Sequence, residues 1–287
     1  MTDRFHTATA PDRVGRASGH DLRAIAQAMK TAQDTAQQLQ PFSSLLTEFD
    51  VPAAYAVAAL LHKERVREGA RPVGRKIGFT NRDMWSRYGV RQPVWAYMYD
   101  RTVRTGAQEY VCSIGRFVEP KVEPEIVVHF RSAPPANGDI RAILDCIDWI
   151  AHAFEIVQSH FPEWRFQAVD TIVDCALHGT LLVGEPLYVD HPGEDLIGAL
   201  ESLEIELYCG DELRAVGRGS NVLGNPLIAI AHLIHTLAEH PLAVGLEAGE
   251  MVTTGTVTTA LSIGRDQTWR SQVRGLGLPG LSVRFEA

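Results

Sequence analysis

Three glutamates and one lysine are the residues of this chain whose types and spacing offer chemistry. The segment Val122-Glu123-Pro124-Glu125-Ile126-Val127-Val128-His129-Phe130 has an apolar second half that reads as a strand, in which residues two apart point to the same face. Glu123 and Glu125 then project side by side at the strand's beginning, and Pro124 suits a first position or an edge. Adjacent carboxylates repel, so they need a cation, a shared proton or full solvation. Hard oxygen ligands at this separation suit Mg²⁺ or Mn²⁺; a solvated strand end is the alternative for this motif alone. Further along, Glu155 stands between Phe154 and Ile156, where a carboxylate is costly to bury unless it is paired or metal-bound. It can complete the protein side of a metal site, although a residue of this kind alone is more often part of an amphipathic helix.

The lysine lies in Gly74-Arg75-Lys76-Ile77-Gly78-Phe79-Thr80. Flanking glycines allow close backbone approach, and a desolvated lysine can have its pKa lowered and move protons. The glycine spacing is not that of a phosphate loop. Basic residues are otherwise nearly all arginine, the lysines being Lys30, Lys63, Lys76 and Lys121, and arginine cannot serve where a proton must leave. His232, His235 and His240 lack the glutamate of a zinc-protease helix, and no Gly-x-Ser-x-Gly elbow is present. Gly217-Arg218-Gly219-Ser220-Asn221 reads as a turn.

These side chains must be positioned by an ordinary globular chain of 287 residues, 45% hydrophobic and 22% charged. The net charge of −8 argues against a nucleic-acid partner. No apolar run in the sequence reads as a membrane span, and no secretory signal is visible, so a cytoplasmic location is expected. Cys112, Cys146, Cys175 and Cys209 form no Cys-x-x-Cys pair and read as reduced core residues.

Residues 1–20 read as frayed. A helix capped by Asp21 is expected to run to about Leu39, and a second to run from after Asp50, with Pro52 in its first turn, to about Arg67. Strands are expected at 72–78, 117–130, 153–158, 180–189, 202–208, 213–217, 251–258 and 281–286. Helices are expected at 138–152 and 225–239, and turns near 131–138 and 191–198. This divides the chain into an N-terminal helical region, 1–70, and a β-rich catalytic domain, 71–287.

In order and spacing, these segments resemble the fumarylacetoacetate hydrolase superfamily, in the branch of 2-keto-4-pentenoate hydratases and 4-oxalocrotonate decarboxylases. The resemblance covers about residues 50–285. Beyond the segments around Lys76, Glu123, Glu125 and Glu155, it includes Val222-Leu223-Gly224-Asn225-Pro226, Leu246-Glu247-Ala248-Gly249-Glu250 and Thr254-Gly255-Thr256. It implies an α+β fold, a β-rich mixed roll with N-terminal helices and a few covering helices. It also implies Mg²⁺ or Mn²⁺ on Glu123, Glu125 and Glu155, with Lys76 in proton transfer. Ser159, Asp174 and Thr254 are the candidate substrate contacts.

The implied activity is that of a hydratase or decarboxylase on a small 2-oxo or 2-hydroxydienoate acid, whose chelation by the metal stabilises a dienolate. A C–C hydrolase of acylpyruvate-like compounds, or a non-catalytic metal- or 2-oxo-acid-binding partner subunit, is the alternative. Hydrolase relatives often carry a His–Glu pair on a lid, for which His62 and Glu64 stand near the expected place but at an unconvincing spacing. A homo-oligomer is expected. Many hydratases have Asp where Gln158 stands, Asp-Asn-Ala-Ser at Asp174-Cys175-Ala176-Leu177, and Pro-Asp-Phe-Gly at Pro93-Val94-Trp95-Ala96. Those departures favour a bulkier or more apolar substrate.

Overall fold

The computed structural model describes residues 21–82, 85–88, 90, 92–189 and 194–287; the stretch 1–20 and part of the turn near 191–198 lie outside them. Helix α1 (Leu22–Thr35) is capped by Asp21, whose carboxylate accepts from the N–H groups of Arg23 and Ala24. It stops before the expected Leu39 because Ala36 turns left-handed and Leu39 donates instead to the carbonyl of His160. After the short α2 (Phe42–Leu45), α3 (Val51–Arg67) starts at an Asp50 cap with Pro52 in its first turn, as expected. The strand β1 (Pro72–Gly78), the short helix α4 (Trp85–Tyr88), and the strands β2 (Val94–Tyr99), β3 (Val103–Thr105), β4 (Glu109–Ser113) and β5 (Lys121–Phe130) follow.

Next come α5 (Ile140–Asp145), β6 (Ile147–Val157), α6 (Ala168–Val173), β7 (His178–Val183), β8 (Leu187–Tyr188) and α7 (Glu194–Ser202). The chain ends through β9 (Glu204–Cys209), β10 (Glu212–Arg218), α8 (Pro226–Glu239), β11 (Met251–Thr256), β12 (Leu261–Ser262), β13 (Thr268–Arg274) and β14 (Ser282–Glu286). The helix expected at 138–152 forms only over Ile140–Asp145, and its second half is strand. From Ile147 the chain pairs with β5 along its length and with β7 and β8 on the other side. A strand covered on both faces loses its alternation, so its apolar run cannot be told from a buried helix. The same cause hid β2, which is almost wholly buried.

Nine strands form a mixed sheet in the order β2-β1-β11-β5-β6-β7-β3, with β12 on β5 and β8 on β6. A second sheet runs β10-β9-β13-β14-β4. The main core joins α1, α3 and α8 to the large sheet through residues such as Met29, Val57, Ile126 and Ile230. A second core, including Phe154, Leu207, Trp269 and Phe285, lies between the sheets. The mixed α+β architecture agrees with the expected fold class. Gly219–Glu239 is long and apolar enough by composition to cross a membrane, but within it α8 packs Leu227, Ile230, Leu233 and Leu237 into the core.

Candidate metal centre

Lys76 and the three glutamates come from three strands of the large sheet. On β5 and β6, Glu123 lies directly opposite Glu155 in register. Glu125, two residues on, shares Glu123's face. One ligand oxygen from each of Glu123, Glu125 and Glu155 can be chosen so that all lie within 4.8 Å of one another.

Pro124 lies in an inner strand, three residues after its start, neither at the first position nor at the edge expected for it. Its carbonyl accepts from the N–H of Val257, so its missing N–H also faces the β11 side, where the register shifts between Thr253 and Thr256. That irregularity holds Gly255, whose φ of 96° is left-handed and whose N–H donates to Glu125 Oε2 at 3.0 Å. A Cβ there would sit 1.8 Å from Thr80 Oγ1. Gly74 serves the lysine strand similarly: a Cβ would lie 1.9 Å from the carbonyl oxygen of Met251 on β11, so glycine permits the β1–β11 approach.

Lys76 is 3% exposed and donates to Glu155 Oε2 at 2.8 Å. Glu155, fully buried, is joined at its other oxygen by His178 Nδ1 at 2.7 Å, and His178 Nε2 meets Thr102 Oγ1 at 2.9 Å. Burial alone would raise the Glu155 carboxyl, but Lys76 and His178 outweigh it and hold it at about 2. Burial pushes Glu123 up to about 7; Lys76 opposes that rise and Glu155 adds to it. Burial also drives Glu125 well above the ordinary carboxylate range, helped by Glu155, with which it shares a hydrogen bond. For Lys76 the sign is opposite to the one desolvation alone leads one to expect. Burial lowers its pKa, but the attraction of Glu155, Glu123 and Glu125 raises it overall.

The donor set fits a hard divalent cation: all carboxylate oxygen, converging from adjacent strands, and with two members that resist ionisation for want of positive charge. Thr80 Oγ1, buried without a protein partner, lies in the wall of the same cavity. That cavity is lined by Lys76, Glu123 and Glu125 and by an apolar wall that includes Trp164, Phe166 and Leu177.

Ser159, Asp174 and Thr254 are not among its lining residues. Ser159 Oγ bonds the backbone of Phe161, Thr254 Oγ1 donates to the carbonyl of Ile126, and Asp174 accepts from His160 and Gln33. His62 stacks on Tyr97 and bonds Tyr99, while Glu64 pairs with Arg67, so neither reaches the cavity. His178 and Thr80 were missed in the sequence, where neither sits in a recognisable pattern with the acids.

No family model matches the chain. It is 28% identical over 263 residues to 2-keto-4-pentenoate hydratase of Paraburkholderia xenovorans, covering 91% of this chain and 93% of that one. To 4-oxalocrotonate decarboxylase of a Pseudomonas species it is 27% identical over 239 residues, 82% of this chain and 88% of the other. Its fold matches the structure of 4-oxalocrotonate decarboxylase from Pseudomonas putida G7, complexed with magnesium and adipate. The TM-score is 0.84 at 22% identity, over 94% of this chain and 99% of that one. The chain is a homologue of the 2-keto-4-pentenoate hydratases and 4-oxalocrotonate decarboxylases and carries the fold of the fumarylacetoacetate hydrolase superfamily.

Proposed function

We propose that the protein is a divalent-metal-dependent lyase, a hydratase or decarboxylase, acting on a small 2-oxo or 2-hydroxydienoate acid. The observation that carries this reading is the convergence of Glu123, Glu125 and Glu155 beside Lys76, with Glu123, Glu125 and Lys76 lining one cavity. Glu123, Glu125 and Glu155 hold Mg²⁺ or Mn²⁺, which supplies Lewis-acid stabilisation of the charge developing on a 2-oxo acid. Lys76 enters the reaction as the ammonium that its three acidic neighbours favour. Its Nζ gives a proton to the substrate and recovers one as the product forms. Glu155 fixes that Nζ, and His178 fixes Glu155. Ser159, Asp174 and Thr254 act as positioning residues, since their bonds go to protein groups.

The same proposal takes 1–70 as a supporting helical region and 71–287 as the catalytic domain. It places the protein in the cytoplasm, which its unpaired cysteines support. A homo-oligomer is supported by exposed Leu213 and Val216 on the edge strand β10; size-exclusion chromatography tests it.

The activity is tested by stripping the protein of metal, restoring Mg²⁺ or Mn²⁺, and following 2-hydroxydienoates and 2-oxo-enedioates by mass spectrometry. Gain of one water marks a hydratase and loss of carbon dioxide a decarboxylase. Metal-independent turnover, or none on any of these acids, contradicts the reading.

A further inference from the structure

We infer that the substrate is a monocarboxylate whose tail is bulky and apolar, and that Leu177, Trp164 and Phe166 select it. The inference deepens the proposed metal-dependent chemistry on 2-oxo acids and rests on it. The cavity has two chemically different parts. At one, Glu123, Glu125 and Lys76 supply its charged side chains among the described residues. They suit the polar head of a 2-oxo acid. Elsewhere the wall presents Phe79, Val157, Trp164, Phe166 and Leu177 beside Asn81 and four threonines.

A second carboxylate on the substrate would need a cation or several donors to replace its water. Lys76, the one cation on the described wall, already bonds Glu155. Lys121 lies nearby, but its Nζ sits 3.7 Å from the centroid of the Trp164 ring. Of the hydroxyls on the wall, Thr258 Oγ1 donates to the carbonyl of Thr259, Thr256 Oγ1 accepts from the N–H of Thr258, and Thr80 Oγ1, without a protein partner, offers a single donor. An apolar tail, in contrast, gains by leaving water against these rings and Leu177.

The shape of the wall is fixed by backbone that few side chains adopt. Cys175, Ala176 and Leu177 have φ of 49°, 51° and 66°, and Glu163 and Trp164 have 57° and 56°. Two separate segments in left-handed conformation therefore deliver Leu177 and Trp164 to the same cavity. Strain of this kind persists only where the surroundings over-determine it, and functional sites are where it gathers. Trp164 is further tied by its indole N–H, which donates to the carbonyl of Glu119 at 3.0 Å. Leu177 is held by its own N–H to Asp174 and by its carbonyl to Gln158.

The test is calorimetric binding to the Mg²⁺-loaded protein of three acids with one head: 2-oxobutanoate, 2-oxoadipate and 2-oxo-4-phenylbutanoate. The phenyl compound is expected to bind about 10-fold or more tighter than 2-oxoadipate, as burial of an aromatic ring predicts. Leu177→Ser and, as a second and more exposed site, Phe166→Ser are each expected to weaken the phenyl compound more than 2-oxobutanoate. Equal or tighter binding of 2-oxoadipate overturns the inference while leaving the metal-dependent chemistry standing. If none of the three binds in a Mg²⁺-dependent way, both fall. A phenyl preference that neither variant reduces refutes the assignment to this wall.

Discussion

Glu123 and Glu155 face one another across β5 and β6 yet titrate in opposite directions, Glu123 up to about 7 and Glu155 down to about 2. The difference is one of partners. Glu155 holds both Lys76 and His178, whereas Glu123 is desolvated with less direct relief. The same cluster thus contains one carboxylate that is ionised at neutral pH and two, Glu123 and Glu125, that a cation must stabilise.

Metal affinity should therefore rise with pH. A metal competes with the protons on Glu123 and Glu125, so apparent affinity for Mg²⁺ increases as pH climbs through about 7. Titrations across that range check this, and a flat profile would contradict it.

Stability of the metal-free protein should show the opposite slope. Glu123 is raised from 4.5 to about 7, so between those values the folded state holds more protons than the unfolded one and stability falls as pH rises. Glu155, lowered to about 2, contributes stability that is present above 4.5 and lost as pH falls toward 2. Urea midpoints of stripped protein should decline from about pH 5 to about pH 7, and added Mg²⁺ should flatten that decline.

His178→Ala should weaken metal binding although His178 is not a proposed ligand. It orients Glu155, and loss of such a partner typically costs about 10–100-fold in affinity. Calorimetry against wild type reads the change, and an unaltered affinity would remove His178 from the account.

Lys76→Met should abolish turnover while metal still binds. Because it leaves the buried Glu155 with His178 alone, a loss of about 3 kcal/mol of metal-free stability is also expected. Wild-type rates would rule out its role in proton transfer.

Much of the fold was legible where the chain announces itself locally. Asp21, Asp50 and Pro52 mark helix starts, and β1, β5 and β11 fall within the strands expected at 72–78, 117–130 and 251–258. Legibility failed where burial on both faces erased periodicity, as in Ile147–His152 and Val94–Tyr99, and where Ala36 ended a helix ahead of the stop expected at Pro41. At the site, Glu123 and Glu125 stood out as paired carboxylates, Glu155 as a charge between apolar neighbours, and Lys76 as a rare lysine between glycines. His178 and the N–H of Gly255 did not, because only strand register and the β11 irregularity bring them to Glu155 and Glu125; Thr80 did not, because only the fold sets it against Gly255.

The most direct test of the central claim is a Mn²⁺ titration followed by electron paramagnetic resonance, with stripped wild type beside Glu123→Gln. Saturable binding at a single site is predicted for the wild type, weakened in the variant by more than the roughly 10–100-fold that loss of an outer partner costs, with the variant's fold unchanged by circular dichroism. Equal binding by the two proteins, or none by the wild type, would contradict the assignment of Glu123, Glu125 and Glu155 as a metal centre.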